Sequence, residues 1–175
     1  MQLGDTLDVV IEIPRGSRNK YEYDHVKDVI RLDRRLFTAT VYPTDYGFVP
    51  DTLAEDGDPC DVLVLLEEPT FPGCYVEVRV IGVFWMEDEK GPDAKVLCVP
   101  SHDPVYAAYL DLADVPPMLL DEIEHFFDVY KMLEPDKSTS VKGWEGAAAA
   151  YSEIEKCRER YEATGRSSND SHNPA

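Results

Sequence analysis

The period of the apolar residues changes once along this chain, and that change limits the fold more than any other feature. From Leu7 to about Pro100, short apolar segments alternate with turn residues: Leu7 to Ile13, Tyr21 to Tyr23, Val29 to Leu32, Phe37 to Tyr42, Val62 to Leu66, Tyr75 to Trp85 and Lys95 to Val99. Val76, Val78 and Val80, with Glu77 and Arg79 between them, are the pattern of a strand with one wet and one buried face. After Pro116-Pro117 the period lengthens. Leu119, Leu120, Ile123, Phe126, Phe127 and Tyr130 recur at helical spacing and predict an amphipathic helix of about four turns. Trp144, Ala147, Ala148, Tyr151, Ile154 and Tyr161 predict a second helix. The expected class is α+β, an antiparallel barrel or sandwich with its helices delivered late and packed on one side.

A chain of 175 residues, 43% hydrophobic, suits a single domain, expected over residues 1–164 because no repeat or linker divides it. Residues 165–175 read as a flexible polar tail, in which Asn169-Asp170-Ser171 is a chance sequon. No apolar run is long enough to cross a bilayer, and Asp5 and Asp8 stand where a signal peptide carries basic residues, so cytoplasmic residence is expected. Cys60, Cys74, Cys98 and Cys157 form no CxxC pair and read as reduced core residues. A formal charge of −18 repels nucleic acid and anionic membranes. It fits a solvated acidic surface or a set of carboxylates that hold divalent cations.

Where the carboxylates fall bears on that choice. Asp56-Gly57-Asp58-Pro59-Cys60-Asp61 runs directly into the apolar segment Val62 to Leu66. Three carboxylates within six residues repel one another unless a cation sits among them, and oxygen donors of this kind favour magnesium, manganese or calcium over zinc. Taken alone, the motif is equally an acidic surface turn. As an EF-hand loop counted from Asp56 it fails, because Asp61 stands where glycine is required. A second acidic turn spans Glu87 to Lys95, with Asp88 and Asp93 flanking the Gly91-Pro92 bend. Glu12 interrupts Val9-Val10-Ile11-Glu12-Ile13, and on a strand Lys20, Glu22 and Asp24 share a face. Among the few basic groups, Arg34, Lys95, Lys131 and Lys142 stand near these clusters, as a metal-bridged phosphate would require. Tyr46 and Tyr130 read by default as core aromatics, and His25 as an exposed turn residue.

Taken together, the motifs resemble the family I soluble inorganic pyrophosphatases of bacterial type. They are Ile11-Glu12-Ile13-Pro14, Lys20-Tyr21-Glu22, Asp33-Arg34, Tyr42-Pro43-Thr44-Asp45-Tyr46-Gly47, Asp56 to Asp61, Asp88 to Lys95, His125-Phe126-Phe127 through Tyr130-Lys131, and Gly143-Trp144-Glu145. The resemblance implies a five-stranded barrel of OB type, a homohexamer, and hydrolysis of pyrophosphate to two orthophosphates by a metal-activated water. It implies several magnesium ions per site, with manganese or zinc as possible substitutes. Asp56, Asp61, Asp88 and Asp93 would be the main metal ligands, with Glu12 and Glu22 completing the acidic lining. Asp58 would be the general base, and Lys20, Arg34, Lys95, Tyr46, Tyr130 and Lys131 would hold phosphate groups. Cys60 departs from the bulkier aliphatic residue usual at its position.

Three rival functions share parts of this pattern, one of them another phosphohydrolase acting, for example, on nucleotides when manganese or zinc replaces magnesium. A metal-binding module without catalysis would need the carboxylates but not the Lys, Arg and Tyr set. A nucleic-acid-binding barrel would need a basic groove with stacking aromatics, which the net charge opposes.

Overall fold

The computed structural model describes residues 2–165. Five strands close on one another: β1 (Thr6–Ile13), β4 (Asp45–Phe48), β5 (Asp61–Val64), β8 (Lys95–Pro100) and β6 (Tyr75–Asp88), which returns to pair with β1. Four of these pairings are antiparallel as expected; β5 and β8 run parallel. The long β6 makes closure possible. It bulges between Val80 and Gly82, which bends the strand, so that its first residues reach β1 while its later ones pair with β8. β2 (Asn19–Asp24) and β3 (Val29–Arg35) form a separate hairpin. β7 (Gly91–Pro92) and β9 (Thr139–Gly146) both pair with the far half of β6.

Strands β5 and β8 are apolar at consecutive positions because both of their faces are buried. Val62, Val64, Val96 and Cys98 face a core completed by Ala150, Tyr151, Ile154 and Cys157 of α2 (Ala147–Ala163). Leu63, Leu97 and Val99 face a second core with Ile123, Phe126 and Phe127 of α1 (Pro117–Val129) and Tyr130 just beyond it. Among the described residues no helix is long and apolar enough to cross a membrane. All four cysteines are free; Cys60, Cys98 and Cys157 are buried and Cys74 is half-buried.

Three expectations are corrected. The helices do not share one side, since α2 packs on one face of β5 and β8 and α1 on the other. Phe37 to Tyr42 is a bend rather than a strand, held by Leu36 N–H to the Arg18 carbonyl and Tyr42 N–H to the Ser17 carbonyl. The strand forms instead at β4, where Gly47 lies so close to β1 that a Cβ would strike the Val10 carbonyl oxygen. Trp144 belongs to β9 and not to the second helix. That helix begins at Ala147, whose N–H donates to Asp111 Oδ1 at 2.8 Å, a cap supplied from another part of the chain. Apart from Gly165, the expected tail and its sequon lie outside the described residues.

Candidate active site

One cleft of about 520 Å³ opens where the β2–β3 hairpin, the loop before β5, the β6–β7 turn and the residues after α1 converge. All thirteen residues named from the sequence line it: Glu12 from β1, Lys20 and Glu22 from β2, Arg34 from β3, Tyr46 from β4, Asp56 and Asp58 from the loop, Asp61 from β5, Asp88 from β6, Asp93 and Lys95 around the start of β8, and Tyr130 and Lys131 after α1.

The parallel register sets Asp61 of β5 opposite Lys95 of β8. The Lys95 ammonium, 1% exposed, donates to Asp61 Oδ2 and to Asp93 Oδ1, both at 2.7 Å. It also lies over the Tyr46 and Phe127 rings, at 5.3 and 5.2 Å from their centres. The Tyr46 hydroxyl donates to Asp61. Asp88 accepts from Lys131 Nζ at 2.7 Å. Lys90, at the tip of the β6–β7 turn, reaches across to Asp58 Oδ2 at 2.9 Å. Lys20 pairs with Glu22 and, at 3.4 Å, with Asp33.

Glu134, buried and fixing the Arg34 guanidinium through contacts of 2.8 to 3.0 Å, went unread in the sequence, as did the cleft roles of Asp33, Glu89 and Lys137. Nothing local could have joined Arg34 to a residue one hundred positions away. Lys142 stays outside the lining and pairs with Glu87 on the neighbouring strand at 3.3 Å. His25 is exposed in the β2–β3 turn, its ring 4.8 Å from that of Tyr23, at the cleft mouth.

Burial pushes the Glu12 carboxyl up to about 7, against the pull of a hydrogen bond from the Tyr23 N–H. Asp61 is likewise raised by burial to about 6, with Lys95 opposing. Burial pushes the Asp93 carboxyl up, but the charge and hydrogen bond of Lys95, with Asp61 and Lys131 adding to them, together hold it below its ordinary value. Burial alone would lower Lys95, but its two carboxylates hold it well above the usual lysine range.

The lining contains ten carboxylates against six Lys and Arg side chains. Among the described residues no three acidic, His or Cys groups converge ready to hold an ion, because ammonium groups stand between the carboxylates. The surplus of oxygen donors and the half-buried Glu12 and Asp61 nevertheless fit hard divalent cations.

A family model for inorganic pyrophosphatase matches residues 9–162. The chain belongs to the inorganic pyrophosphatase family. The inorganic pyrophosphatase of Streptomyces coelicolor is 58% identical over 158 residues, spanning 90% of this chain and 97% of that relative. The crystal structure of inorganic pyrophosphatase from Thermus thermophilus, 50% identical, matches with a TM-score of 0.87 over 93% of this chain and 97% of that one. The Helicobacter pylori inorganic pyrophosphatase, 42% identical, gives a TM-score of 0.88 over 93% and 98%. These enzymes share the closed ring of strands with its two late helices, and family I pyrophosphatases depend on metal ions.

Proposed function

We propose that this cleft hydrolyses pyrophosphate to two orthophosphates with magnesium ions, that Glu12, Glu22, Asp56, Asp61, Asp88 and Asp93 hold the metal, and that Asp58 is the general base. The observation that carries this reading is the charge of the cleft: ten carboxylates and six cations in one lining. A polyanion cannot enter a net-negative cleft without added cations, whereas a cation-binding module has no use for a buried Lys95 or a clamped Arg34. Bound magnesium ions supply charge neutralisation and lower the pKa of water towards neutrality.

The chain's own residues do the rest. Asp58 is exposed to the cleft on the turn after Gly57, free to accept a proton from the attacking water once Lys90 moves. Arg34, Lys20 and Lys131 offer charged donors to phosphate oxygens, and Tyr46 and Tyr130 offer hydroxyls. Lys95, bonded to Asp61 and Asp93, offers a further charge to the phosphate groups. We read residues 1–164 as the catalytic domain. The implied cytoplasmic homohexamer would cover some of the exposed apolar side chains, such as Phe71, Tyr75 and Leu110, and light scattering would detect it.

The test is phosphate release from pyrophosphate with the purified chain, with and without magnesium. Rapid release that stops on chelation supports the reading; no release with any divalent metal returns the protein to the metal-module alternative.

Metal loading should also be linked to protons. In the metal-free protein Glu12 and Asp61 titrate at about 7 and about 6, above their ordinary values of 4.5 and 3.8. Between those limits the folded chain holds more protons than the unfolded one, so this pair makes the metal-free fold less stable as pH rises through the window. Cations require the ionised forms, so binding releases protons and weakens as pH falls from 7 to 5. Calorimetry of manganese binding in buffers of different ionisation enthalpy should give a net proton release near pH 6.5; proton uptake would contradict it.

A further inference from the structure

Three of the six cations in the cleft are firmly held. Lys95 and Lys131 are buried against carboxylates, and Arg34 is fixed by the buried Glu134. Lys90 is different. It stands on the two-residue turn Glu89-Lys90 between β6 and β7, its side chain 53% exposed. Its one ion pair among the described residues crosses the cleft to Asp58, which is itself 59% exposed. The turn is anchored by the Lys90 N–H, which donates to Asp88 Oδ1 at 2.8 Å, so the backbone is fixed while the ammonium hangs on a flexible stem.

We infer that Lys90 is a positioning residue that sets the divalent-cation requirement: in the metal-free cleft its ammonium lies against Asp58 as a tethered substitute for a bound cation, and it leaves when metal enters. This rests on the reading of Asp58 as the base in a metal-loaded cleft. Exposed ion pairs are weak and exchange readily, so this ammonium is displaceable where that of Lys95 is not. Two effects then act with the same sign. A cation must break the Lys90–Asp58 pair to use the full negative potential of the cleft, and it must approach against the charge of the ammonium. The same contact occupies the base until the cleft is loaded, which keeps Asp58 paired while there is nothing to hydrolyse.

The test is a manganese titration of the metal-free, substrate-free full chain by calorimetry. Lys90→Ala and Lys90→Gln should each bind manganese about two- to fivefold more tightly, the scale of an exposed ion pair. Lys90→Arg should match the unaltered protein. Lys142→Ala, which removes the same charge from outside the cleft, should also leave binding unchanged. In steady state, the magnesium needed for half-maximal phosphate release should fall by the same factor in Lys90→Ala. Unchanged or weaker manganese binding in both neutral variants, or an equal gain in Lys142→Ala, overturns the inference. If the unaltered protein released no phosphate, the proposed function would fall while the manganese titration still reported on Lys90.

Discussion

Asp58→Asn should lower kcat for pyrophosphate by about 10²- to 10⁴-fold, the usual contribution of a general base, while leaving metal binding in place. The side chain sits on a turn tied by the Asp58 N–H to Asp56 Oδ1 at 3.1 Å and by the Ala54 N–H to the Asp58 carbonyl at 2.7 Å. Neither bond uses the Asp58 carboxylate, whose contact is the exposed ion pair with Lys90, so the amide preserves the loop while it removes the proton acceptor and the charge that Lys90 faces. Asp61→Asn is the contrast. Asp61 is half-buried and accepts from both Lys95 and Tyr46, so the substitution removes a charge that a buried ammonium depends on. That variant should lose metal affinity as well as turnover. Measuring kcat and manganese affinity for the two variants side by side separates the roles. Near-normal turnover in Asp58→Asn would move the base elsewhere in the cleft.

Strands that bury a regular apolar face could be read from the sequence almost residue for residue: β1, β6 and β8 appear where alternation or a continuous apolar run placed them. β4 could not, because Asp45 and Gly47, two of its four residues, are poor strand formers that mask the alternation of Tyr46 and Phe48. What makes it a strand is tertiary: the Asp45 carboxylate accepts from the Arg15 and Thr70 N–H groups, and Gly47 admits β1 at close range. β9 was missed for a similar reason. Its glycines and polar residues gain regular structure only by pairing with β6, and the helical spacing beginning at Trp144 concealed the break at Gly146.

The cleft followed a different logic. Its carboxylates stood out as clusters because like charges crowded in sequence need a physical reason, and the resemblance supplied the order of the motifs. Which partner each would take was not legible. Asp61 meets Lys95 through a parallel register where antiparallel pairing was expected, and Asp88 meets Lys131 from the end of a distant helix. Arg34 meets Glu134 through no local pattern at all. Side-chain identity was written in the sequence, and side-chain pairing came from topology.

Lys95→Met should destabilise the metal-free protein by about 3–5 kcal/mol, the cost of leaving buried charge without its partner. Methionine fills much of the lysine stem and keeps contact with the Tyr46 and Phe127 rings, so packing is largely spared and the loss is electrostatic. Without the ammonium, Asp61 and Asp93 face each other with nothing between them, and both carboxyls shift upward. The folded variant then holds protons that the unfolded chain has given up, so its stability falls as pH rises from about 4 through the raised values. The deficit should therefore be larger at pH 8 than at pH 5, as read from denaturant midpoints at the two values. Magnesium should recover part of it at pH 8 by supplying positive charge to the same two carboxylates. A loss that is independent of both pH and magnesium would mean that Lys95 serves the fold through packing, and that Asp61 and Asp93 do not form a cation site.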